Sequence, residues 1–266
     1  MDCNPPCFSV IIPVWHEAAR INDLVAHVRE RAGGRRVEII VSDGAPQADT
    51  LAALADEQVI RVRAPQGRAL QMNAGSHAAS GDILLFLHAD TTLPEDAFAA
   101  MEQGLRDIGK TGGNAVSNVC GKAGDSIGDG AREGNRHQVG AGAFRLGIDG
   151  ARGLLYLVEM LADLRNRLTR TPYGDQAQFF RTSYFRLLGG YSAIPLMEDV
   201  DIMRRIRQRG DSIALLPLRV RTSARRWHAE GVVYCSLRNV CLRTLYALGV
   251  PAQTLSRWYL AYKGKS

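Results

Sequence analysis

Short apolar segments alternate with helix-forming segments through the first part of the chain, and this alternation restricts the fold more than any other feature. The four strand candidates are Phe8–Ile12, Val37–Val41, Val59–Val62 and Ile83–Leu87. Repeated strand–helix alternation predicts an α/β fold with a mostly parallel sheet and helices on both faces. The chain contains no GxGxxG and no GxxxxGK[ST] pattern, which argues against a dinucleotide site or a P-loop.

The fourth strand candidate ends in His88-Ala89-Asp90. Its five apolar residues, Ile83–Leu87, are typical of a strand that is buried on both faces. Because ligands of open α/β sheets bind outside the carboxyl ends of the strands, Asp90 is expected at the mouth of a site. A carboxylate there suits a divalent cation that also carries substrate phosphates. From these residues alone, the alternative is that Asp90 caps the helix beginning near Pro94.

Composition limits the protein class. At 266 residues the chain is long enough for one large α/β domain or two small ones. The net charge of +6 fits a phosphate-bearing ligand or an anionic membrane surface, and it is too diffuse to indicate nucleic acid. The five cysteines have no CxxC spacing, which favours reduced thiols in a cytoplasmic protein. No run of apolar residues reaches the length of a membrane span.

Four later segments carry structural predictions. Residues 109–142 are rich in Gly, Asn and Ser and predict a long loop or insertion. The leucines at 154, 157, 161, 164 and 168 have helical spacing and predict a helix whose leucine face packs in the core. Acids at the start of a helix near Glu198 are explained by capping or by chemistry. Two C-terminal amphipathic helices, from Val233 and from Ala252, fit either packing on the domain or contact with a membrane surface.

From about Phe8 to about Val233 the chain resembles the family 2 glycosyltransferases of the GT-A fold. Several motifs carry this resemblance in the family's order. They are Val10-Ile11-Ile12-Pro13 with Glu17, Ser42-Asp43-Gly44, Gly67-Arg68 with Asn73, His88-Ala89-Asp90, Gly189-Gly190-Tyr191, Glu198-Asp199 and Arg225-Arg226-Trp227. Residues 67–75, 84–91 and 172–180 resemble a soluble subgroup that is often labelled arsenosugar-biosynthesis glycosyltransferases.

The resemblance implies a role for each motif. Asp199, preceded by Glu198, corresponds to the base that deprotonates the acceptor. The implied nucleotide-binding residues are Pro13, Glu17, Asp43, Gly44, Arg68, Asn73 and Asp90, with Asp43 accepting a hydrogen bond from uracil. Asp90 and His88 are the implied metal ligands. The implied residues on the acceptor and diphosphate side are Asp175, Gly189, Gly190, Arg225, Arg226 and Trp227. For the last three, a solvated basic face with one core aromatic is the alternative.

The resemblance also implies an activity, namely metal-assisted inverting transfer of a sugar, with UDP-sugar as the expected donor. The cofactor would be Mn²⁺ or Mg²⁺, and His88 in place of the family's first acid favours manganese. The expected domain covers residues 8–230, with a helical extension over 231–266. The acceptor is left open among a small molecule, a glycan and a lipid. The competing functions are a non-catalytic sugar-nucleotide-binding protein and a sugar-phosphate nucleotidyltransferase.

Overall fold

The computed structural model describes residues 6–107 and 140–263. Its strands are β1 Phe8–Val14, β2 Val37–Asp43, β3 Ile60–Arg63, β4 Ile83–Phe86, β5 Thr91–Thr92, β6 Ala141–Ile148, β7 Phe179–Arg181 and β8 Ile213–Thr222. Its helices are α1 Ile21–Ala32, α2 Asp49–Ala52, α3 Arg68–Ala78, α4 Ala97–Asp107, α5 Leu154–Thr169, α6 Thr182–Leu187, α7 Glu198–Gln208, α8 Arg225–Glu230, α9 Val232–Ala247 and α10 Ala252–Lys263. A short 3₁₀ helix covers Gly174–Gln176.

The described strands form one sheet in the order β3-β2-β1-β4-β7-β6-β8-β5. The first four strands of this order are parallel, as the strand–helix alternation predicts. Strand β7 is antiparallel to both β4 and β6, while β6 and β8 are parallel to each other. The predicted α/β fold is therefore confirmed, and β7 joins its two parallel parts.

The central strands contain almost no polar residues because the sheet is covered by apolar side chains of helices on both of its faces. On one face, Val10 and Leu85 pack with residues of α1 and α4 such as Leu24 and Phe98. On the other face, Ile11 and Phe86 join a second buried cluster with α3, α6 and α7. Full burial of one such side chain stabilises the fold by about 1.5–3 kcal/mol.

Helix α3 lies unusually close to β1 because position 75 is a glycine. A Cβ atom at Gly75 would lie 2.5 Å from Cγ2 of the buried Ile11. Any larger residue would therefore push α3 away from the sheet. Arg68, at the start of α3, would move with it.

The predicted burial of the leucine face on α5 is wrong. Leu154, Leu157, Leu161, Leu164 and Leu168 are all exposed, by 42% to 75%. The helix instead buries the side that carries Leu155, Glu159, Ala162 and Asn166. Helical spacing identifies an apolar face but contains no information on what that face contacts.

Two further predictions need correction. The sequence predicts separate strands at Ile213–Leu216 and Arg219–Thr222, whereas β8 is continuous through Pro217. Its pairing with β6 shifts register around this proline, which cannot donate to the ladder. Most of the Gly-rich segment 109–142 lies outside the described residues, but its last two residues, Ala141 and Gly142, belong to β6 rather than to a loop. Within the described residues, no helix is long and apolar enough to cross a membrane.

Candidate functional site

A cavity of about 480 Å³ opens at the carboxyl ends of β1 and β4. Its wall combines the end of β1, the turn after β4, the start of α3 and the start of α7. The end of β8 and residues of α8, α9 and α10 complete it. This is the edge of the sheet at which open α/β proteins bind ligands.

Many of the site residues predicted from sequence line this cavity. They are Pro13, Glu17, Arg68, His88, Asp90, Asp175, Glu198, Asp199, Arg226 and Trp227. The other predicted residues do not line it, namely Asp43, Gly44, Asn73, Gly189, Gly190 and Arg225. The fold therefore brings together residues that lie far apart in sequence, while the roles assigned to them stay predictions.

Two backbone N–H groups fix the carboxylate of Asp199. Gly174 N donates to Oδ2 at 2.7 Å, and Val200 N donates to Oδ1 at 2.8 Å. Before this acid, Met197 has a backbone φ of 70°, a left-handed conformation that is costly for a residue with a side chain. Strain of this kind is maintained where the surrounding structure holds a particular orientation. Here α7 begins at Glu198, directly after the strained Met197, and this start aims Glu198 and Asp199 at the cavity.

Asp175 lies beside Asp199 but in a different electrostatic state. Its Oδ1 atom is buried and has no hydrogen-bond partner. Burial raises the pKa of Asp175 to about 6, and the charge of Asp199 adds to this effect against the opposing charge of Arg165. The cavity thus holds one carboxylate anchored by backbone donors and one whose proton affinity is raised.

Glu198 and Arg68 form an ion pair in the cavity wall. Arg68 Nε lies 3.3 Å from Glu198 Oε1, and the Glu198 side chain is only 3% exposed. Burial raises the pKa of Glu198, while the charge of Arg68 opposes the rise. The half-exposed Arg68 guanidinium therefore faces both this carboxylate and the cavity.

The residues after β4 fit a divalent cation that shares its coordination with a substrate. Burial lowers the pKa of His88 to about 3, with the charges of Arg68 and Arg226 adding to the effect, so its imidazole is neutral. Its Nε2 atom is buried without a hydrogen-bond partner and can act as a ligand. Burial raises the pKa of Glu17, and the negative charge of Asp90 raises it further. Glu17 and Asp90 therefore lie close together. The described residues contain no cluster of three or more His, Cys, Asp or Glu side chains able to hold a metal. A cation held by Asp90 and His88 would thus need further oxygen ligands, as phosphates supply.

Asp43 lies behind the cavity wall, not on it. It is the last residue of β2 and pairs with Val14, which does line the cavity. Its Oδ1 accepts the N–H of Ala45 at 2.8 Å, while its buried Oδ2 has no partner. Gln71, which lines the cavity, packs against the next residue, Gly44, since a Cβ atom there would lie 2.8 Å from the Gln71 Cδ atom. The free oxygen of Asp43 is thus an unused acceptor next to the cavity.

Asn73 and Gly190 meet each other and stabilise the fold instead of lining the cavity. The amide of Asn73 donates to Tyr191 O at 2.8 Å and accepts from Tyr191 N at 3.0 Å. Gly190 has a φ of 74°, and a Cβ atom there would lie 2.8 Å from Asn73 Oδ1. This contact explains the glycine and the asparagine without a ligand. Arg225 is exposed, and its side chain donates to Ser223 within the described residues.

Sequence reasoning missed cavity residues that come from the turn after β1, from α3, from the loop before Asp175, and from α9 and α10. They are Trp15, Gln71, Tyr173, Asn239, Leu242, Arg243 and Tyr259. Arg165 lies 3.4 Å from the centroid of the Tyr173 ring, and Arg243 lies 4.6 Å from the same ring. The sequence carried a signal only for the residues on α9, namely the amphipathic pattern of that helix. It marks a packed face without showing that this face borders a cavity.

Residues 9–117 match the family described as Glycosyl transferase family 2. None of the curated proteins matches the chain.

Solved structures share the fold. With TarS of S. aureus in complex with UDP, the TM-score is 0.55 at 13% identity over 82% of this chain and 60% of that chain. With the mannosyltransferase PcManGT of Pyrobaculum calidifontis in complex with GDP-Man and Mn²⁺, it is 0.56 at 16% identity over 98% of this chain and 81% of that chain. With glucosyl-3-phosphoglycerate synthase of Mycobacterium tuberculosis in complex with Mn²⁺, UDP and phosphoglyceric acid, the TM-score is 0.54 at 18% identity over 92% of this chain and 80% of that chain. At these identities the likeness establishes the GT-A fold.

Proposed function

We propose that the protein transfers a sugar from a nucleoside diphosphate sugar to an acceptor hydroxyl, because residues 9–117 match glycosyl transferase family 2 and the structure has the GT-A fold. One observation carries the proposal. Acids and arginines from distant parts of the chain, including Asp90, Asp199, Arg68 and Arg226, line a single cavity at the carboxyl edge of the parallel strands. Such a cavity suits the diphosphate of a donor at one end and the reacting hydroxyl of an acceptor at the other.

On the donor side, the proposal assigns binding of the nucleotide to residues near the end of β1 and β2. The unpartnered Oδ2 of Asp43 supports its role as acceptor for the N–H of uracil. This favours UDP as the nucleotide of the donor. Three solved structures of this fold contain UDP, UDP-GlcNAc or GDP-Man.

The diphosphate is assigned to Arg68 and Arg226, which present guanidinium groups to the cavity. Asp90 and His88 would hold Mn²⁺ or Mg²⁺ together with the phosphate oxygens. A bound cation there supplies charge neutralisation as the diphosphate leaves. Fixed positive groups are most effective where negative charge develops during the reaction.

On the acceptor side, Asp199 is proposed to take the proton of the attacking hydroxyl. The acceptor oxygen then forms a bond to the anomeric carbon as the bond from that carbon to the diphosphate oxygen breaks. A single displacement of this kind inverts the configuration at the anomeric carbon. The two backbone donors hold the Asp199 carboxylate in place, while burial raises the pKa of the neighbouring Asp175 to about 6. Asp175 is therefore the second candidate for the base.

A screen of nucleotide sugars by thermal shift, with and without manganese, tests donor binding directly, because a ligand of the folded state raises the melting temperature. We expect a UDP-sugar to give the largest shift, and Asp90→Asn to lose the part that depends on manganese. Release of UDP in the presence of manganese then tests catalysis. Binding with no release of UDP, even with a range of acceptors, would support the alternative of a non-catalytic sugar-nucleotide-binding protein.

We also propose a cytoplasmic location, consistent with the free thiols of the described cysteines Cys7, Cys235 and Cys241. Cys3 and Cys120 lie outside the described residues.

A further inference from the structure

Helix α5 turns an apolar face towards solvent. Seven of its side chains are large, apolar and between 42% and 75% exposed, namely Leu154, Tyr156, Leu157, Met160, Leu161, Leu164 and Leu168. The opposite face is buried and includes polar groups such as Glu159, which accepts the N–H of Ile148. The helix is thus amphipathic with its apolar side outward, an arrangement that marks a surface for another molecule.

Helix α9 packs against α5 and repeats this arrangement. Its exposed positions include Val233, Leu237 and Val240, which are between 50% and 64% exposed. Its other face lines the cavity through Asn239, Leu242 and Arg243. The neighbouring helix α10 exposes Trp258 by 54%. We call the exposed apolar residues of α5 and α9 the apolar face.

Positive charge is concentrated in the C-terminal part of the sequence, which contains α8, α9 and α10. Residues 225–266 contain seven arginines and lysines and one acid, Glu230, which gives a net +6, equal to the net charge of the whole chain. The acids on the described parts of α5, α8, α9 and α10 all have internal partners. Glu159 bonds to Ile148 N, Asp163 pairs with Arg145 and Arg219, and Glu230 pairs with Arg238. Arginines at positions 152, 167, 170, 225 and 257 are exposed, so the unpaired charge near the face is positive.

From this combination we propose that the apolar face binds the surface of a membrane that contains anionic lipids. Amphipathic helices with basic flanks bind such surfaces through buried apolar area and attraction to acidic headgroups. A second copy of the chain fits less well, because it would bring two positively charged faces together. Moreover, α5 has 16 residues, which is shorter than the three or four heptads of a stable coiled coil. The proposal does not depend on sugar transfer.

The position of α9 gives membrane binding a consequence for the cavity. One face of this helix belongs to the apolar face and the other to the cavity wall. A protein bound through α5 and α9 would therefore hold the cavity one helix away from the lipid headgroups. The part of the cavity wall formed by Arg243 and Tyr173 would be nearest to them.

Flotation of the purified full chain with vesicles tests the proposal. The vesicles contain either phosphatidylcholine alone or phosphatidylcholine with phosphatidylglycerol, at low and at high salt. We expect binding to the anionic vesicles that weakens at high salt and little binding to the neutral ones. Light scattering of the protein without vesicles reports its oligomeric state.

Two variants locate the binding surface. The triple change Leu157→Gln, Leu161→Gln and Leu164→Gln should weaken binding to anionic vesicles by roughly tenfold or more. Leu187→Gln is the matched control, because Leu187 is 60% exposed on α6, outside the apolar face. It should bind as the unchanged protein does. The pair Arg167→Glu and Arg257→Glu should also weaken binding without removing any apolar residue, which covers the case in which the triple variant fails to fold.

Three results would overturn the proposal. The first is the absence of binding to anionic vesicles, or equal binding to neutral ones. The second is unchanged binding by both the folded triple variant and the arginine variant. The third is a dimer in light scattering that the triple variant converts to a monomer, since a second copy would then cover the face. These three results do not depend on UDP binding. A failure of the donor screen would therefore not count against membrane binding.

Discussion

Replacing Asp199 by asparagine separates a catalytic role from a structural one. The unchanged carboxylate accepts two backbone hydrogen bonds, from Gly174 at 2.7 Å and from Val200 at 2.8 Å. Asparagine keeps one side-chain oxygen, so one of these N–H groups would face an amide NH₂ group. Leaving a buried donor without a partner costs about 1–3 kcal/mol. For a chain of this size that lowers the melting temperature by about 2–12 °C.

The catalytic role predicts a much larger change in turnover than in stability. If Asp199 is the base, sugar transfer by Asp199→Asn should fall by roughly 10²–10⁴-fold. UDP affinity in the presence of manganese should stay near that of the unchanged protein, because the base contacts the acceptor and not the nucleotide. Transfer rate, UDP affinity by titration calorimetry and melting temperature would be measured on one preparation.

Asp201→Asn is the matched control for this experiment. Asp201 lies on the same helix and is 5% exposed, and it accepts from Ser192 and Arg205 at 2.6 Å and 2.9 Å. It does not line the cavity. The variant should therefore lose stability while keeping near-normal transfer. If Asp199→Asn behaves like this control, Asp199 is structural, and a large loss of transfer in Asp175→Asn would assign the base to Asp175.

Three further predictions concern the same cavity. Asp43→Ala should weaken UDP binding by about 1–3 kcal/mol in titration calorimetry, through loss of a charged hydrogen-bond acceptor; unchanged affinity would exclude Asp43 from the base site. Activity should favour manganese over magnesium, and His88→Asp should narrow that preference; a native preference for magnesium would argue against imidazole as a ligand. Because burial raises the pKa of Asp175 to about 6, rising pH should destabilise the fold between its unfolded pKa near 4 and about 6. Melting temperatures from pH 4 to 8 should show that Asp175→Asn gains stability relative to the unchanged protein as pH rises through that window and keeps this gain above it. Equal curves would show that the carboxyl is not perturbed.

The local sequence was sufficient to predict the parallel half of the fold. Runs such as Ile83–Leu87 are apolar on both sides of the strand, and only a strand buried between two helical layers satisfies that pattern. The abrupt change to His88-Ala89-Asp90 predicts the strand end, which the structure places at the cavity. These predictions succeed because each depends on residues that are neighbours in sequence.

Contacts between distant segments decided the remainder. The leucines of α5 and the apolar residues of α9 have the spacing of core helices, yet exposed positions such as Leu161 and Leu237 face solvent. Periodicity reports that one side of a helix is apolar, whereas burial depends on which elements the rest of the chain places beside it. The same applies to Arg243, whose place in the cavity wall follows from the packing of α9 beside Tyr173. Likewise, the backbone donor from Gly174 to Asp199 joins residues that become neighbours only in the folded chain, so no local pattern contains it.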